Sequence, residues 1–279
     1  MAIRLVAVDL DGTLLSPRGA VTPATQQAVR SAVQHGFPVA LCTGRPLREC
    51  RLVLEALPEV EYAVTSTAGR VLNVRTMQEL GGVTMRPEQA ARFYHILEEF
   101  DNVIDFLADG QVRFDAARMT RIAPYLPKGS EAHMRLHYTE WNDLSDFVDA
   151  FRKPVDKLFS LYVSQQERDR AWARLQGEDC FLSSSGSRNL EITAPGADKG
   201  AGLAILAKHL GIDASEIVAI GDSSNDEQML RYVGVPVAMG NALPEIKALC
   251  AAEAPSNAED GVAFVLNQLV KGEFSWNCR

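Results

Sequence analysis

The stretch Ile3-Arg4-Leu5-Val6-Ala7-Val8-Asp9-Leu10-Asp11-Gly12-Thr13-Leu14 determines how the rest of this chain is interpreted. Its first six residues form a short apolar run, which is typical of a strand buried on both faces of a parallel sheet. Two carboxylates, Asp9 and Asp11, follow the end of this run, where open parallel sheets bind their ligands. Asp and Gly also form ordinary turns. The surrounding sequence must therefore decide between a site and a turn.

Strand and helix signals alternate after this stretch. Thr22-Pro23 predicts the start of a helix, with Thr at the N-cap and Pro in the first turn. The elements predicted in this part are a helix over residues 24–34, a strand over 37–42, a helix over 46–57 and a strand over 62–65. This βαβαβ order predicts a parallel sheet whose loops gather at one end.

The alternation stops near residue 83 and returns at residue 199. Between them we predict helices over 87–100, 142–151 and 166–175, a hairpin of strands 103–107 and 112–114, and strands over 158–163, 181–184 and 190–193. After them we predict helices over 199–209, 225–231, 244–249 and 258–270, with strands over 217–220 and 235–239. We therefore predict an α/β fold: a doubly wound parallel-sheet core of residues 1–82 and 193–279, with an inserted α+β domain of residues 83–192.

Composition limits the function classes. A chain of 279 residues with 47% hydrophobic and 23% charged residues fits about two globular domains. The net charge of −8 disfavours nucleic acid as a partner, because polyanions are repelled. No apolar run reaches the roughly 20 residues of a membrane helix and no signal peptide is present, so we predict a cytoplasmic protein without a membrane partner.

The cysteines do not form a recognisable framework. They are Cys42, Cys50, Cys180, Cys250 and Cys278. An odd number without a Cys-x-x-Cys pair argues against a disulfide framework or a zinc ribbon, so we predict reduced thiols. Cys42 precedes Thr43 in a strand and is interpreted as a buried apolar residue rather than a nucleophile.

A second acidic segment, Gly221-Asp222-Ser223-Ser224-Asn225-Asp226, follows the predicted strand over residues 217–220. Two anionic loops at one sheet edge would repel each other by a few kcal/mol unless a hard divalent cation with oxygen ligands neutralised them. Magnesium is the simplest cation that fits. Alternatively, Asp222 only ends a strand and Asp226 lies exposed in the first turn of a helix, beside the positive end of its dipole.

Two further segments suit a phosphate group. Thr43-Gly44-Arg45 follows the second strand, where a hydroxyl and free backbone N–H groups precede a helix. Lys199 begins the first helix after the insertion, where its ammonium could reach the same sheet edge. Each signal is weak alone, because most lysines are merely solvated.

In order and spacing, the segments beginning at Asp9, Thr43, Lys199 and Gly221 resemble the four motifs of the haloacid dehalogenase superfamily. The long insertion, with Val237-Ala238-Met239-Gly240-Asn241-Ala242 and Ser256-Asn257-Ala258-Glu259-Asp260-Gly261-Val262 downstream, is similar to the Cof-type sugar-phosphatase branch, whose large α/β cap is of the C2 type. The resemblance spans the core, whereas the insertion matches only in size and element pattern.

The resemblance implies a role for each motif residue. Asp9 would be the nucleophile that forms an aspartyl-phosphate, and Asp11 the general acid and base, its pKa raised by the nearby Asp9 charge. Mg²⁺ would be held by Asp9, the backbone carbonyl of Asp11 and Asp222, with Asp226 orienting this shell. The residues expected to hold phosphate oxygens are Leu10 (through its N–H), Thr43, Gly44, Lys199 and Asn225. Lys199 would in addition stabilise the transferring phosphoryl group.

One segment departs from the family pattern. The chain has Ser66-Thr67-Ala68-Gly69 where family members usually carry Ser-Asn-Gly, so a side-chain amide expected near the substrate is missing. The substrate preference is expected to differ accordingly.

The insertion carries weaker candidates. His133 and His137 could bind zinc if helical, but their alternating surroundings favour a strand. Arg118, Arg121 and Lys128, in an apparently irregular stretch over residues 116–129, are either substrate-contacting loop residues or isolated surface charges.

The sequence therefore predicts a Mg²⁺-dependent phosphatase of small phosphomonoesters, with sugar phosphates favoured by family analogy. One alternative is a phosphomutase of similar architecture, resembling phosphomannomutases. Another is a non-catalytic protein that binds a phosphorylated metabolite. In each case the partner is a small phosphorylated metabolite, and the chain is a monomer or a homodimer.

Overall fold

The computed structural model describes residues 2–184 and 186–274. The chain separates into two compact units. The first unit comprises the residues up to Arg45, Cys50–Gly82 and the residues from Asp198 on, and the second comprises Pro46–Glu49 and Val83–Ala197. That the first is a catalytic core and the second a cap stays a prediction.

The first unit begins with the predicted strand and helix alternation. Its elements up to residue 65 are β1 (Leu5–Val8), α1 (Pro23–Gln34), β2 (Val39–Cys42), α2 (Arg51–Ala56) and β3 (Tyr62–Thr65). The Thr22 hydroxyl accepts a hydrogen bond from Thr25 N and caps α1, as predicted. The helix predicted over residues 46–57 is shorter, because a 3₁₀ turn, Leu47–Cys50, precedes α2.

A hairpin not predicted from the sequence extends this sheet. Its strands are β4 (Arg70–Asn73) and β5 (Gln78–Gly81), and β4 pairs antiparallel with β3. Both strands are short, and β5 lies at the sheet edge with a polar sequence, so neither carries the apolar pattern of a buried strand. Met77, in the turn between them, has a φ of 59° and is exposed.

The second unit is built around a mostly antiparallel sheet. Its elements are α3 (Pro87–Glu98), β6 (Asn102–Ala108), β7 (Gln111–Asp115), α4 (Ala116–Ile122), α5 (Ser130–His137), β8 (Thr139–Trp141), α6 (Ser145–Ala150), β9 (Val155–Tyr162), α7 (Gln165–Leu175), β10 (Phe181–Ser183) and β11 (Asn189–Thr193). The strand order is β10-β11-β9-β6-β7-β8. One apolar cluster joins the sheet to α3, α6 and α7, and a smaller cluster joins it to α4 and α5.

Two segments of this unit differ from their predicted structure. Residues 116–129 are not irregular throughout, since α4 begins there, capped by the Asp115 carboxylate, which accepts a hydrogen bond from Arg118 N. The Arg118 guanidinium donates to backbone oxygens of Glu98 and Phe100, so it anchors α4 within the unit. His133 and His137 lie on the helix α5 rather than on a strand. The alternating polar and apolar residues at 133–137 suggested a strand with one buried face. On the helix, however, Met134 is buried whereas Leu136 is exposed.

The chain then completes the first unit. The remaining elements are α8 (Lys199–Leu210), β12 (Ile217–Gly221), α9 (Glu227–Tyr232), β13 (Val235–Ala238), α10 (Pro244–Leu249), β14 (Ala252–Glu253) and α11 (Gly261–Lys271). Helices predicted to begin at residues 225 and 258 begin later, because each is preceded by a 3₁₀ turn, Ser224–Asp226 and Asn257–Glu259.

The sheet of the first unit has the order β14-β13-β12-β1-β2-β3-β4-β5, and its first six strands are parallel. β1 lies in the middle, with Val8 paired to Ile220 of β12 and to Leu41 of β2. The α/β fold with a doubly wound parallel sheet is therefore confirmed, apart from the antiparallel hairpin. This register brings the ends of β1, β2 and β12 to one edge.

None of the described helices is both long and apolar enough to cross a membrane. No disulfide joins the described cysteines, Cys42, Cys50, Cys180 and Cys250, to one another, and Cys42 is buried as predicted. Cys278 lies outside the described residues.

Candidate active site

Side chains from four segments of the first unit meet at the carboxyl edge of its sheet. Asp9 follows β1, Thr43 follows β2, Asp222 follows β12, and Lys199 is the first residue of α8. The aligned register of the three strands places the first three side by side. The Asp198 carboxylate caps α8 by accepting from Ala201 N, and this fixes where Lys199 enters the site. The sheet edge thus assembles residues 190 or more positions apart in sequence.

Lys199 is the centre of this arrangement. Its Nζ donates to Asp9 Oδ1 at 2.6 Å, to Asp226 Oδ1 at 2.7 Å and to Asn225 Oδ1 at 3.1 Å. Lys199 is 1% exposed and Asp226 is fully buried. Although burial alone would lower the pKa of Lys199, the charges of Asp9 and Asp226 raise it above its usual value, so the ammonium stays charged. The alternative in which Asp226 is an exposed helix residue is therefore wrong.

Three carboxylates form a cluster beside this lysine. One oxygen each of Asp9, Asp222 and Asp226 lie within 4.8 Å of one another. Asp226 Oδ2 accepts from Asp222 N at 3.0 Å and from Ser223 N at 3.1 Å, which orients the group. The Thr13 hydroxyl donates to Asp222 at 3.0 Å. Among the described residues no other trio of acidic, histidine or cysteine side chains comes this close. His133 and His137 therefore belong to no such trio among the described residues.

The charge of this cluster fits a divalent cation. Burial raises the pKa of Asp9 above its usual range, and the Asp226 and Asp222 charges add to the increase while Lys199 opposes it. Burial, together with the Asp226 charge, raises the pKa of Asp222 to about 6. Three carboxylates against one ammonium leave a net negative site made only of oxygen ligands, which is the donor set of hard cations such as Mg²⁺. The residues present thus fit the predicted metal.

Asp11 does not belong to this cluster. Its carboxylate accepts from Arg45 Nε at 2.8 Å and from Arg45 Nη2 at 2.5 Å, and its side chain is 59% exposed. Both carboxylate oxygens of Asp11 are therefore occupied by Arg45. Arg45 belongs to the Thr43-Gly44-Arg45 motif, but the sequence predicted no role for it.

The loop that carries Asp9 and Asp11 is held from the far end of the chain. Gly12 has a φ of 84°, and a β-carbon there would collide with the Asp222 carboxylate. Asn241 Nδ2 donates to Gly12 O, and Asn257 Nδ2 donates to Leu15 O, both at 2.8 Å. Asn257 N donates to Asn241 Oδ1 at 2.9 Å. The two downstream segments used for the family resemblance thus support the loop, a function that sequence reasoning missed.

The segment after β2 is tied to the turn after β3. Thr67 N donates to Thr43 O at 3.2 Å, and Ser66 N donates to Arg45 O at 2.9 Å. Ser66, Thr67 and Ala68 have φ values of 53°, 56° and 70°. This left-handed conformation costs non-glycine residues about 1–2 kcal/mol each, and most for a β-branched residue such as Thr67. The departure from Ser-Asn-Gly noted in the sequence therefore coincides with a strained turn beside the site.

The structure brings most of the predicted site residues together. Those within hydrogen-bonding or cluster distance of one another are Asp9, Lys199, Asp222, Asn225 and Asp226. Thr43 and Gly44 follow the neighbouring strand, and the Thr43 hydroxyl accepts from Arg45 N at 3.1 Å. The side chain of Leu10 is buried in the core, so only its backbone can serve the site. Asp11 lies on the outer side.

The chain resembles known proteins over nearly its whole length. A family model for haloacid dehalogenase-like hydrolases matches residues 6–266. The HMP-PP phosphatase of Serratia proteamaculans (strain 568) is 32% identical, over 88% of this chain and 87% of that protein. Phosphatase YwpJ of Bacillus subtilis (strain 168) is 27% identical, over 96% of this chain and 100% of that protein. A solved haloacid dehalogenase-like hydrolase from Bacteroides thetaiotaomicron matches with a TM-score of 0.82 at 24% identity, over 96% of this chain and 99% of that one.

Proposed function

Since this chain belongs to the haloacid dehalogenase-like hydrolases, in their Cof-type branch, we propose that it hydrolyses small phosphomonoesters with Mg²⁺ through a phosphorylated Asp9. It is a phosphoric monoester hydrolase, and its substrates are small phosphorylated metabolites. Sugar phosphates are the substrate class that we propose first, by analogy with the branch. The observation that supports the mechanism best is buried Lys199, which bridges Asp9 and Asp226 beside Asp222.

In the proposed first step an Asp9 oxygen attacks phosphorus and the bond to the leaving alcohol breaks. Lys199 holds Asp9 through one carboxylate oxygen and offers its charge to the phosphoryl group. Thr43, Gly44, Asn225 and the Leu10 N–H hold the remaining phosphate oxygens in the proposed site. The described geometry supports this assignment for Asn225, since its Oδ1 already accepts from Lys199.

Asp11 is the proposed proton carrier. It protonates the leaving alcohol in the first step and removes a proton from the attacking water in the second, so that one residue serves both directions. Its bidentate pairing with Arg45 means that it must move inward first. A substrate phosphate competes with Asp11 for the Arg45 guanidinium, because both are oxyanions that can accept two parallel hydrogen bonds from its N–H groups.

Mg²⁺ is proposed to be held by Asp9, Asp222 and the backbone carbonyl of Asp11, with Asp226 orienting this shell through its bonds to Asp222 N and Ser223 N. When bound, it would neutralise the charge that repels a phosphate dianion. Asp226 remains paired with Lys199 in this arrangement, which leaves it less free than Asp222 to act as a direct ligand.

The test is hydrolysis of an aryl phosphate and of a panel of sugar phosphates, with added Mg²⁺ and with EDTA. We expect phosphate release that needs Mg²⁺ and is lost in EDTA. Turnover that persists after complete metal removal would contradict the mechanism. Conversion of glucose or mannose phosphates to an isomer without phosphate release would favour the phosphomutase alternative. Thermal stabilisation by phosphate esters without any turnover would favour a binding protein.

The raised pKa of Asp222 predicts how metal binding depends on pH. Because its pKa is about 6 in the folded chain, above the usual value, the native state keeps a proton that the unfolded state has lost. Without metal, Asp222 therefore destabilises the fold as the pH rises through 6. Mg²⁺ binds the ionised carboxylate, so the stabilisation that it provides increases as the pH rises. We expect Mg²⁺ to raise Tm more at pH 7.5 than at pH 5.5.

The measurement is thermal unfolding at both pH values, in EDTA and in Mg²⁺. Asp222→Asn should remove most of the Mg²⁺ effect at pH 7.5, because a neutral amide replaces a carboxylate. Glu88→Gln, at an exposed position of α3, is the matched control and should keep it. An equal increase in Tm at both pH values would show that Asp222 does not titrate as proposed.

The cytoplasmic location stays a prediction, as does the state of monomer or homodimer.

A further inference from the structure

The turn after β3 is unusual within the described part of the chain. Among all described residues, six that are not glycine have a positive φ. Three of these six, Ser66, Thr67 and Ala68, are consecutive and form this turn. L-residues normally enter this region singly, and β-branched residues such as Thr67 rarely enter it at all. Strain of this kind persists only where the surroundings impose it, and it concentrates at functional sites. The contacts of the turn should therefore show what it positions.

Two sets of contacts impose the conformation. On one side the backbone N–H groups of Ser66 and Thr67 donate to the carbonyls of Arg45 and Thr43. On the other side Ala68 is fully buried and lies against Gly202 of α8, where a β-carbon on Gly202 would clash. The turn is thus held between the Thr43-Gly44-Arg45 segment and the helix that begins with Lys199. Both are parts of the proposed phosphate site.

The Thr67 hydroxyl is the group that this turn presents. A β-carbon on Gly44 would come within 3.4 Å of Thr67 Oγ1, so the hydroxyl lies beside the proposed phosphate-binding segment. Thr67 is half-buried, and its hydroxyl makes no hydrogen bond within the described residues 2–184 and 186–274. A polar group held in a strained turn without a partner is available to a ligand.

Burial indicates which part of a ligand it meets. Asp9, Thr43 and Lys199, which are proposed to act on the phosphoryl group, are each at most 3% exposed. Thr67 lies further out, like Asp11, whose proposed task is to protonate the leaving oxygen. The organic part of a phosphomonoester extends outward from the buried phosphate. A half-buried hydroxyl next to Gly44 therefore lies where the first atoms of that organic part would be.

We infer that Thr67 is a specificity-determining residue, whose hydroxyl hydrogen-bonds a polar group that the substrate carries close to its phosphoester. This rests on the proposed phosphatase function and deepens it. The substrates favoured by such a contact are polyhydroxylated phosphomonoesters rather than aryl or alkyl phosphates. The strained turn positions the Thr67 hydroxyl for this contact.

The activity arm of the test separates the hydroxyl from the shape of the side chain. Thr67→Val keeps the shape and removes the hydroxyl, whereas Thr67→Ser keeps the hydroxyl. We expect Thr67→Val to lower kcat/KM about tenfold on the best hydroxylated substrate of the panel, the loss of one hydrogen bond. On p-nitrophenyl phosphate, which has no polar group near the ester, it should change less than about twofold. Thr67→Ser should stay close to the wild type on both.

The stability arm tests the strain without using activity. Asn accepts the left-handed conformation more readily than Thr or Met, so Thr67→Asn should raise Tm by about 2–4 °C. Met77→Asn is the matched control, since Met77 has a nearly identical φ of 59° in the β4–β5 turn. It should raise Tm by a similar amount and leave kcat/KM unchanged on every substrate.

Three results would overturn the inference. Undiminished kcat/KM of Thr67→Val on all substrates would show that the hydroxyl does not contact them. An equal decrease on hydroxylated and aryl phosphates would place the contact on the phosphate, not on the organic part. No increase in Tm for Thr67→Asn, with an increase for Met77→Asn, would show that the turn is unstrained. A folded wild type without any phosphatase turnover would instead contradict the proposed function, and the Tm comparison would still decide whether the turn is strained.

Discussion

Asp9→Asn is expected to reduce kcat for phosphomonoester hydrolysis by at least about 1,000-fold, because the amide cannot form the covalent phosphoenzyme. The fold should be retained. Burial raises the pKa of Asp9, so replacing this carboxylate with a neutral isostere removes a costly buried charge, and Lys199 keeps its bond to Asp226. The measurement is single-turnover phosphate release, together with Tm.

The controls separate chemistry from folding. Asp146→Asn makes the same substitution at an exposed position of α6 and should leave kcat unchanged. Asp11→Asn should let an aryl phosphate, whose leaving group needs little acid assistance, load Asp9 but slow the hydrolysis that follows. The phosphoenzyme should then accumulate and be detected as a mass increase on the peptide that contains Asp9. Substantial turnover by folded Asp9→Asn would contradict Asp9 as the nucleophile.

Lys199→Met is expected to reduce the free energy of unfolding by about 3–5 kcal/mol, because it leaves Asp9 and Asp226 buried without their cation. Asp9, whose pKa burial already raises, will recover part of this loss by binding a proton. The destabilisation should therefore increase as the pH rises, since the native state must then release that proton and bury an unpaired charge. Chemical denaturation in EDTA at two pH values measures both effects.

A second substitution tests this explanation directly. Lys199→Met combined with Asp226→Asn removes one of the two unpaired charges and should recover a large part of the stability, but not the activity. Lys208→Met, at an exposed position of the same helix α8, should change the unfolding free energy by less than about 0.5 kcal/mol. If Lys199→Met lost as little as this control, the ion pairs of Lys199 would not stabilise the fold.

The sequence predicted the parts of the site that depend on strand ends. Asp9 and Asp222 each follow a short apolar run, and parallel strands place their carboxyl ends at one edge, so their proximity follows from topology. Lys199 could be placed because its helix begins directly after the insertion. These inferences need only the order of strands and helices, which can be predicted from the hydrophobic pattern of the sequence.

Other parts depend on contacts that no local pattern records. The pairing of Arg45 with Asp11 joins two side chains that are 34 positions apart in sequence. The hydrogen bond from Asn241 to Gly12 O spans 229 positions. Neither distance produces a periodic signal. The α5 helix was missed because it is mostly exposed, with only Met134 buried, so its polarity pattern reports little about its conformation. The edge strand β5 is polar for the same reason.

The pairing of β1 with β12 has a consequence for biosynthesis. Leu5 pairs with Ile217, so the strand in the middle of the sheet leaves the ribosome long before its neighbour exists. At about 5–20 residues per second, roughly 10–40 s separate the synthesis of the two strands. During that time one edge of β1 is open, whereas the strands of Val83–Ala197 can already pair with one another. The nascent chain must therefore protect the edge next to Asp9 until β12 has been synthesised, and the cluster around Asp9 and Asp222 can form only after that.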